Sequence, residues 1–228
     1  MEDRRTASDG NTENPITIPQ VHLYNYEKTV ENLIEECENP RRVSLKERLE
    51  DVKDLLSSGA DEREIADKYF DIWCRYYRSF ERYNLLITPK RSEPTSFIVI
   101  QGPTGTGKSR YAMENYPGAY WKSKDIWWNG YQGEEYVIFD EFYGWLPWDT
   151  LLRLGDRYPL QTETKGGFIQ FRSKKIIITT NAIPERWYKN AYFPAFARRV
   201  EEWIIMNVED SKITFNNYND AKQHFIEV

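Results

Sequence analysis

The strongest constraint on this chain is one run of residues, Gly102-Pro103-Thr104-Gly105-Thr106-Gly107-Lys108-Ser109. It fits the pattern G-x-x-x-x-G-K-[ST]. Such a loop works only between a buried strand and the first turn of a helix. There the unpaired backbone N–H groups and the helix dipole face negative charge. The flanks supply both. Phe97-Ile98-Val99-Ile100 reads as a short buried strand, and a helix is expected to begin near Lys108. In this setting the residues from Gly102 to Gly107 are candidates to cradle the phosphates of a nucleoside triphosphate, with ATP the expected nucleotide. Lys108 would reach the β- and γ-phosphates, and Ser109 would ligate Mg²⁺.

The second half of such a site is an acidic pair at the end of a neighbouring strand. Tyr136-Val137-Ile138-Phe139 runs into Asp140-Glu141. Asp140 is the candidate to hold Mg²⁺, and Glu141 the candidate to polarise an attacking water. Taken alone, a strand ending in a charged turn is common; the phosphate loop gives this one its meaning. A further hydrophobic strand, residues 175–179, ends at Thr180-Asn181. Asn181 there can orient the lytic water, or simply close the strand.

Around these motifs, residues 147–156 read as a helix. Residues 160–164 and 168–171 read as a hairpin about Lys165-Gly166-Gly167, and 203–206 as a late strand. Upstream the pattern is helical. Ser44-Leu45-Lys46-Glu47 fits a capping box, and Leu45, Leu49, Val52, Leu55 and Leu56 follow at helical spacing. Asp61 to Glu64 is a second cap, opening a periodic run through Phe80. Arg75, Arg78 and Arg82 share one face of that run, as a nucleic-acid stripe or a solvated one. Thr88-Pro89-Lys90-Arg91-Ser92-Glu93-Pro94 reads as a linker. The expected organisation is a flexible tail over 1–18, a small helical oligomerisation domain over 19–87, a linker over 88–94 and an ATPase domain over 95–228.

Composition narrows the partners. The formal net charge is −5, so any nucleic-acid surface must be a local patch or channel. Aromatic residues make up 15% of the chain, with 8 Trp, enough to fill a core and to supply stacking surfaces. The tryptophans at 127, 128, 145 and 148 are expected in the core. Cys37 and Cys74 are too few for a disulfide scaffold or a zinc site, as befits reduced thiols in an intracellular protein. The polar start lacks a secretory core, and no apolar run approaches membrane-spanning length.

Beyond the phosphate loop, a series of motifs carries a specific resemblance. Tyr120-Trp121-Lys122, Trp127-Trp128-Asn129-Gly130-Tyr131-Gln132-Gly133-Glu134-Glu135 and Asp140-Glu141-Phe142-Tyr143-Gly144-Trp145-Leu146-Pro147-Trp148 come first. Leu151-Leu152-Arg153-Leu154, Asp156-Arg157-Tyr158-Pro159-Leu160, Glu163-Thr164-Lys165-Gly166-Gly167 and Ile178-Thr179-Thr180-Asn181 follow. In this order and spacing, residues 95–205 resemble the helicase domain of circovirus-type replication-initiator (Rep) proteins. These are superfamily 3 helicases, relatives of the AAA+ ATPases. The segment with Ile65-Ala66 and Tyr76-Tyr77-Arg78 resembles the short domain that precedes it. The resemblance implies an α/β phosphate-loop NTPase sheet with flanking helices, preceded by a small all-α domain.

It further implies an ATP-driven helicase, assembled as a homo-oligomeric ring of six and moving on single-stranded DNA during replication of small circular genomes. Lys165 looks like the tip of the family's pore hairpin, a DNA contact. Arg198-Arg199 matches its late arginine position, where an arginine finger would enter the neighbouring subunit's site. The residues do not choose between the two. If the chain is of viral type, the host nucleus is the expected location. Close relatives often carry Asp where this chain has Glu141, a mild departure, since Glu suits a base. A larger departure concerns the N-terminal nicking domain of such initiators, which needs paired histidines and a Tyr-x-x-Lys. The chain has only His22 and His224, and Tyr24 and Tyr26 lack that spacing to Lys28. No nicking activity is expected; a separate domain or protein would supply it. The chain is then either a fragment or a naturally reduced protein. Alternatives are a ring ATPase acting on RNA or protein, and a catalytically silent DNA-binding or oligomerisation remnant.

Overall fold

A computed structural model describes residues 43–207 and 211–227. The expectations placed on the tail, and on His22, Tyr24, Tyr26, Lys28 and Cys37, fall outside the described residues. The chain divides into two compact units between Asp54 and Leu55.

Both helix-start signals act as capping geometry requires. Helix α1 runs Leu45–Ser58. Ahead of it the Ser44 N–H donates to Glu47 Oε2 at 2.8 Å, and the Glu47 N–H donates to Ser44 Oγ at 3.2 Å. These are the two reciprocal bonds of a capping box. Asp61 caps α2, Glu62–Lys68, its Oδ1 accepting from the Glu64 N–H at 2.8 Å. The periodic run does not stay one helix. Tyr69, at φ −132° and ψ 49°, separates α2 from α3, Phe70–Ile87. The Tyr69 N–H still bonds Ile65 O, and the Trp73 N–H bonds Tyr69 O, both at 2.8 Å. The ladder therefore continues through a single non-helical residue. No glycine or proline marks the break, which is why periodicity passes over it. Arg75, Arg78 and Arg82 are all exposed on α3.

The larger unit is built on a six-stranded sheet. Its strands are β1 Ser96–Gln101, β2 Tyr120–Trp121, β3 Tyr136–Phe139, β6 Lys175–Thr180, β7 Val200–Met206 and β8 Lys212–Phe215. Their order is β2-β3-β6-β1-β7-β8. All pairs are parallel except β7–β8. Both faces of the sheet are covered, so the central strands read as continuous apolar runs rather than alternating ones. Ile98, Ile100, Ile138, Ile177 and Ile204 pack on one face with Ala112 of α4, Lys108–Asn115. Phe97, Val99, Val137, Phe139, Ile176, Ile178 and Trp203 face the other side. There Leu151 and Leu154 of α5, Trp148–Leu154, complete a core rich in rings. Each such fully buried side chain contributes about 1.5–3 kcal/mol relative to exposure. Trp128 is buried, and Trp145 and Trp148 pack against the same core, as expected; Trp127, expected there too, is only half-buried and lies outside it.

A separate two-stranded hairpin joins β4, Gln161–Thr164, to β5, Gly167–Gln170. Thr164 pairs with Gly167, so the turn is the two residues Lys165-Gly166, with Gly166 at φ 113°. Trp128 N–H donates to Glu163 O at 2.8 Å, and Lys165 N–H to Asn129 Oδ1 at 2.7 Å. These bonds anchor the hairpin to the loop after β2.

Candidate active site

The phosphate loop leaves β1 and enters α4 as its sequence demands. Gly102 is fixed by a close approach: a Cβ there would lie 2.0 Å from Met206 O at the end of β7. Gly107, the α4 N-cap, sits at φ 79°, a left-handed conformation that favours glycine. Thr106 Oγ1 donates to Pro103 O at 3.0 Å and ties the loop across its base. Lys108 is 8% exposed. Its Nζ folds back and donates to Gly102 O at 2.9 Å and Pro103 O at 2.7 Å. Burial lowers the Lys108 pKa from its ordinary value, and the nearby charges of Asp140 and Glu141 oppose that shift. An anion seated in the loop would offer this ammonium better acceptors than two carbonyls.

Parallel pairing brings the other candidates to the same edge. β3 pairs with β6 through Phe139↔Ile178, and β6 with β1 through Gln101↔Thr180. The residues just beyond these strand ends therefore gather at the loop. Ser109 Oγ donates to Asp140 Oδ1 at 2.6 Å. The same carboxylate oxygen accepts from Thr179 Oγ1 at 2.7 Å. Thr179 Oγ1 in turn accepts the Glu141 N–H at 2.9 Å. Glu141 has φ 48°, unusual for a residue with a Cβ, and such a conformation costs on the order of 1–3 kcal/mol. The bonds to Thr179 hold it: the Phe142 N–H also donates to Thr179 O at 2.8 Å. Asn181 reaches the loop, its Nδ2 donating to Thr104 Oγ1 at 3.1 Å.

The geometry thus unites Lys108, Ser109, Asp140, Glu141 and Asn181. It adds three residues to which motif reading assigns no role. Thr179 is the hub just described. Lys124 pairs its Nζ with Glu141 Oε2 at 3.1 Å and lies over the Tyr143 ring. Gln101, fully buried, donates to Asn181 O at 3.3 Å and to Ile226 O at 2.7 Å. A hydroxyl and a carboxylate 2.6 Å apart form a hard-oxygen donor pair. They suit Mg²⁺, which takes one or two protein ligands and completes its shell with phosphate and water.

The remaining candidates lie elsewhere. Lys165 is exposed at the hairpin turn. The two late arginines differ sharply. Arg199 pairs with Asp156, Nη2 to Oδ1 at 2.6 Å, and also donates to Ala195 O. Arg198 is exposed.

The sheet order and the loop define the class, a phosphate-loop NTPase fold of the superfamily 3 type. Residues 98–182 match the family described as RNA helicase. The chain is 44% identical over 165 residues to the replication-associated protein of canary circovirus, covering 71% of this chain. It is 41% identical over 171 residues to that of goose circovirus and 42% identical over 171 residues to that of porcine circovirus 2. The aligned parts span 56%, 58% and 54% of those three proteins, so the chain covers little more than half their length. Its phosphate-loop segment is thus similar to a helicase family, and most of the chain is similar to the replication-associated proteins of circoviruses. Among the described residues, no helix is long and apolar enough to cross a membrane.

Proposed function

We propose that the chain hydrolyses ATP to drive a homo-oligomeric ring, hexameric by its resemblance, along single-stranded DNA during replication of small circular DNA. One observation carries this reading: the hydrogen-bonded set Ser109–Asp140–Thr179–Glu141, assembled beside a phosphate loop whose lysine donates, among the described residues, to two backbone carbonyls. The N–H groups from Gly102 to Ser109 would hold the β- and γ-phosphates, and Lys108 would turn from its carbonyls to the γ-phosphate. Ser109 and Asp140 would hold Mg²⁺, which supplies charge neutralisation at the phosphates when bound. Glu141 would accept a proton as the water oxygen bonds to the γ-phosphorus. The bond from that phosphorus to the β–γ bridging oxygen then breaks, and ADP leaves with the electron pair. Asn181 would orient the water. Arg198, exposed where Arg199 is engaged within its own chain, is the better candidate to enter a neighbour's site. Lys165 would contact a DNA phosphate.

The test is ATP turnover measured with and without single-stranded DNA across protein concentration. Turnover should rise with DNA and rise cooperatively with concentration. Lys108→Ala should abolish nucleotide binding or turnover, and Glu141→Gln should bind ATP while barely hydrolysing it. Wild-type turnover in either variant would sink the site assignment. A second reading, action on RNA, is favoured by the description of the matched family as an RNA helicase. Stimulation by RNA exceeding that by DNA would establish it instead.

A further inference from the structure

The core consumes most of the aromatic side chains; Trp121, Tyr158 and Tyr192 stay exposed, and so does Phe168. It is the second residue of β5, 53% exposed. Phe70 is also exposed, yet its ring stacks on Trp73 at 5.9 Å. Among the described residues, Phe168 makes no ring contact. Strand alternation explains its direction. Thr162 and Ile169 form a cross-strand pair on the inner face of the hairpin, Thr162 buried and Ile169 packed on the core. The next pair, Glu163 and Phe168, therefore points outward.

Phe168 stands one pair from the turn that carries Lys165. Between them lie Gly166 and Gly167. A Cβ on Gly166 would meet nothing within 4 Å, and one on Gly167 only Thr164 Oγ1 at 3.8 Å. The strip from ammonium to ring is thus bare backbone, open to a ligand. The hairpin itself is tied to the loop after β2 by the bonds of Glu163 O and Lys165 N–H. A cation at the turn and an exposed ring two glycines further on match a nucleotide, which offers a phosphate and a flat base. The Glu163 carboxylate opposite Phe168 repels phosphate from the ring and leaves that position to the neutral base.

We infer that Phe168 is a base-stacking platform for single-stranded DNA, adjoining the phosphate contact of Lys165. The inference rests on the proposed action of the hairpin on DNA, and its failure is separable from failure of that reading. The experiment measures binding of the full chain, by fluorescence anisotropy, to labelled oligothymidylate and to an abasic deoxyribose-phosphate oligomer of equal length. Phe168→Ala should weaken binding to the thymidylate oligomer by about tenfold and leave the abasic oligomer within about twofold. Phe168→Trp should retain affinity for both. Lys165→Ala should weaken both and reduce the salt slope by about 0.7. Equal losses on the two oligomers for Phe168→Ala, or no loss on either, would overturn the inference. So would loss of the oligomer without base-dependent loss of affinity, which would mark Phe168 as a contact between copies. If Lys165→Ala behaves as wild type while Phe168→Ala keeps its base-selective loss, the Lys165 assignment falls and the stacking platform stands. No binding of either oligomer by the wild-type chain overturns both.

Discussion

Thr179 shows how a site depends on a residue with no chemistry of its own. Its fully buried hydroxyl donates to Asp140 and accepts the Glu141 N–H. Valine has nearly the same shape but no hydroxyl. Thr179→Val would leave a backbone N–H unpaired and free one side of the Asp140 carboxylate. The expected cost is about 1–3 kcal/mol in urea unfolding. With Asp140 holding Mg²⁺ as proposed, the Mg²⁺ concentration for half-maximal turnover should rise by about tenfold or more, the usual cost of losing a partner of a metal ligand. Thr179→Ser should restore both. Unchanged Mg²⁺ dependence in the valine variant would show that Asp140 needs no such support. Lys108, Ser109, Asp140, Glu141 and Asn181 were legible because local order carries them: a loop between strand and helix, and polar residues ending apolar runs. The role of Thr179 was not, although the residue stands in the motif Ile178-Thr179-Thr180-Asn181. Its role depends on the register that sets β6 against β3, and nothing in either strand alone specifies that register. Lys124, which meets Glu141 from a polar loop 17 residues earlier, is hidden for the same reason.

At the scale of elements, local signals were read well and long-range ties were not. Both helix caps formed between the residues named, since a cap is satisfied within one turn. Residues 88–94 carry the proline signature of a linker and form neither helix nor strand, but Arg91 within them is bound to the phosphate-loop fold. Its guanidinium donates to Tyr158 O at 2.7 Å and to Leu154 O and Arg153 O, each at 2.6 Å, where α5 ends. It also stacks on Phe171 at 5.1 Å. These partners lie 62 to 67 residues away and are backbone atoms, which no composition reveals. Burial pushes the Arg91 pKa down to about 10, so it keeps its charge at neutral pH. Arg91→Ala should destabilise the domain by about 2–4 kcal/mol, because three carbonyls lose a charge-assisted donor together. Arg91→Lys should recover only part of that, since a single ammonium cannot reproduce the planar fork. The check is the urea midpoint at constant m. A midpoint within error of wild type for Arg91→Ala would mean that water replaces the guanidinium without cost.

For the whole molecule, the sequence left two arginines undecided, and packing separates them. Arg199 is 13% exposed in its side chain and paired with Asp156. Moving it into a neighbour's site would leave that carboxylate without its cation. Arg198, next to it and exposed, carries no such cost. Arg199→Ala should therefore act on stability, lowering it by about 1–3 kcal/mol through loss of a partly buried charge pair. Arg198→Ala should leave the thermal midpoint unchanged and, with Arg198 as the proposed finger, lower turnover about a thousandfold or more. The proposed ring makes this a property of pairs of chains. An Arg198→Ala chain keeps an intact phosphate loop, and a Lys108→Ala chain keeps an intact Arg198. Each is inactive for a different reason. Mixed in one ring, the second chain can complete the site of the first. The mixture should then hydrolyse ATP faster than either variant alone, with a maximum at intermediate ratios and no gain at concentrations too low for assembly. Activity that stays at the sum of the two separate chains would mean that Arg198 acts within its own chain or not at all.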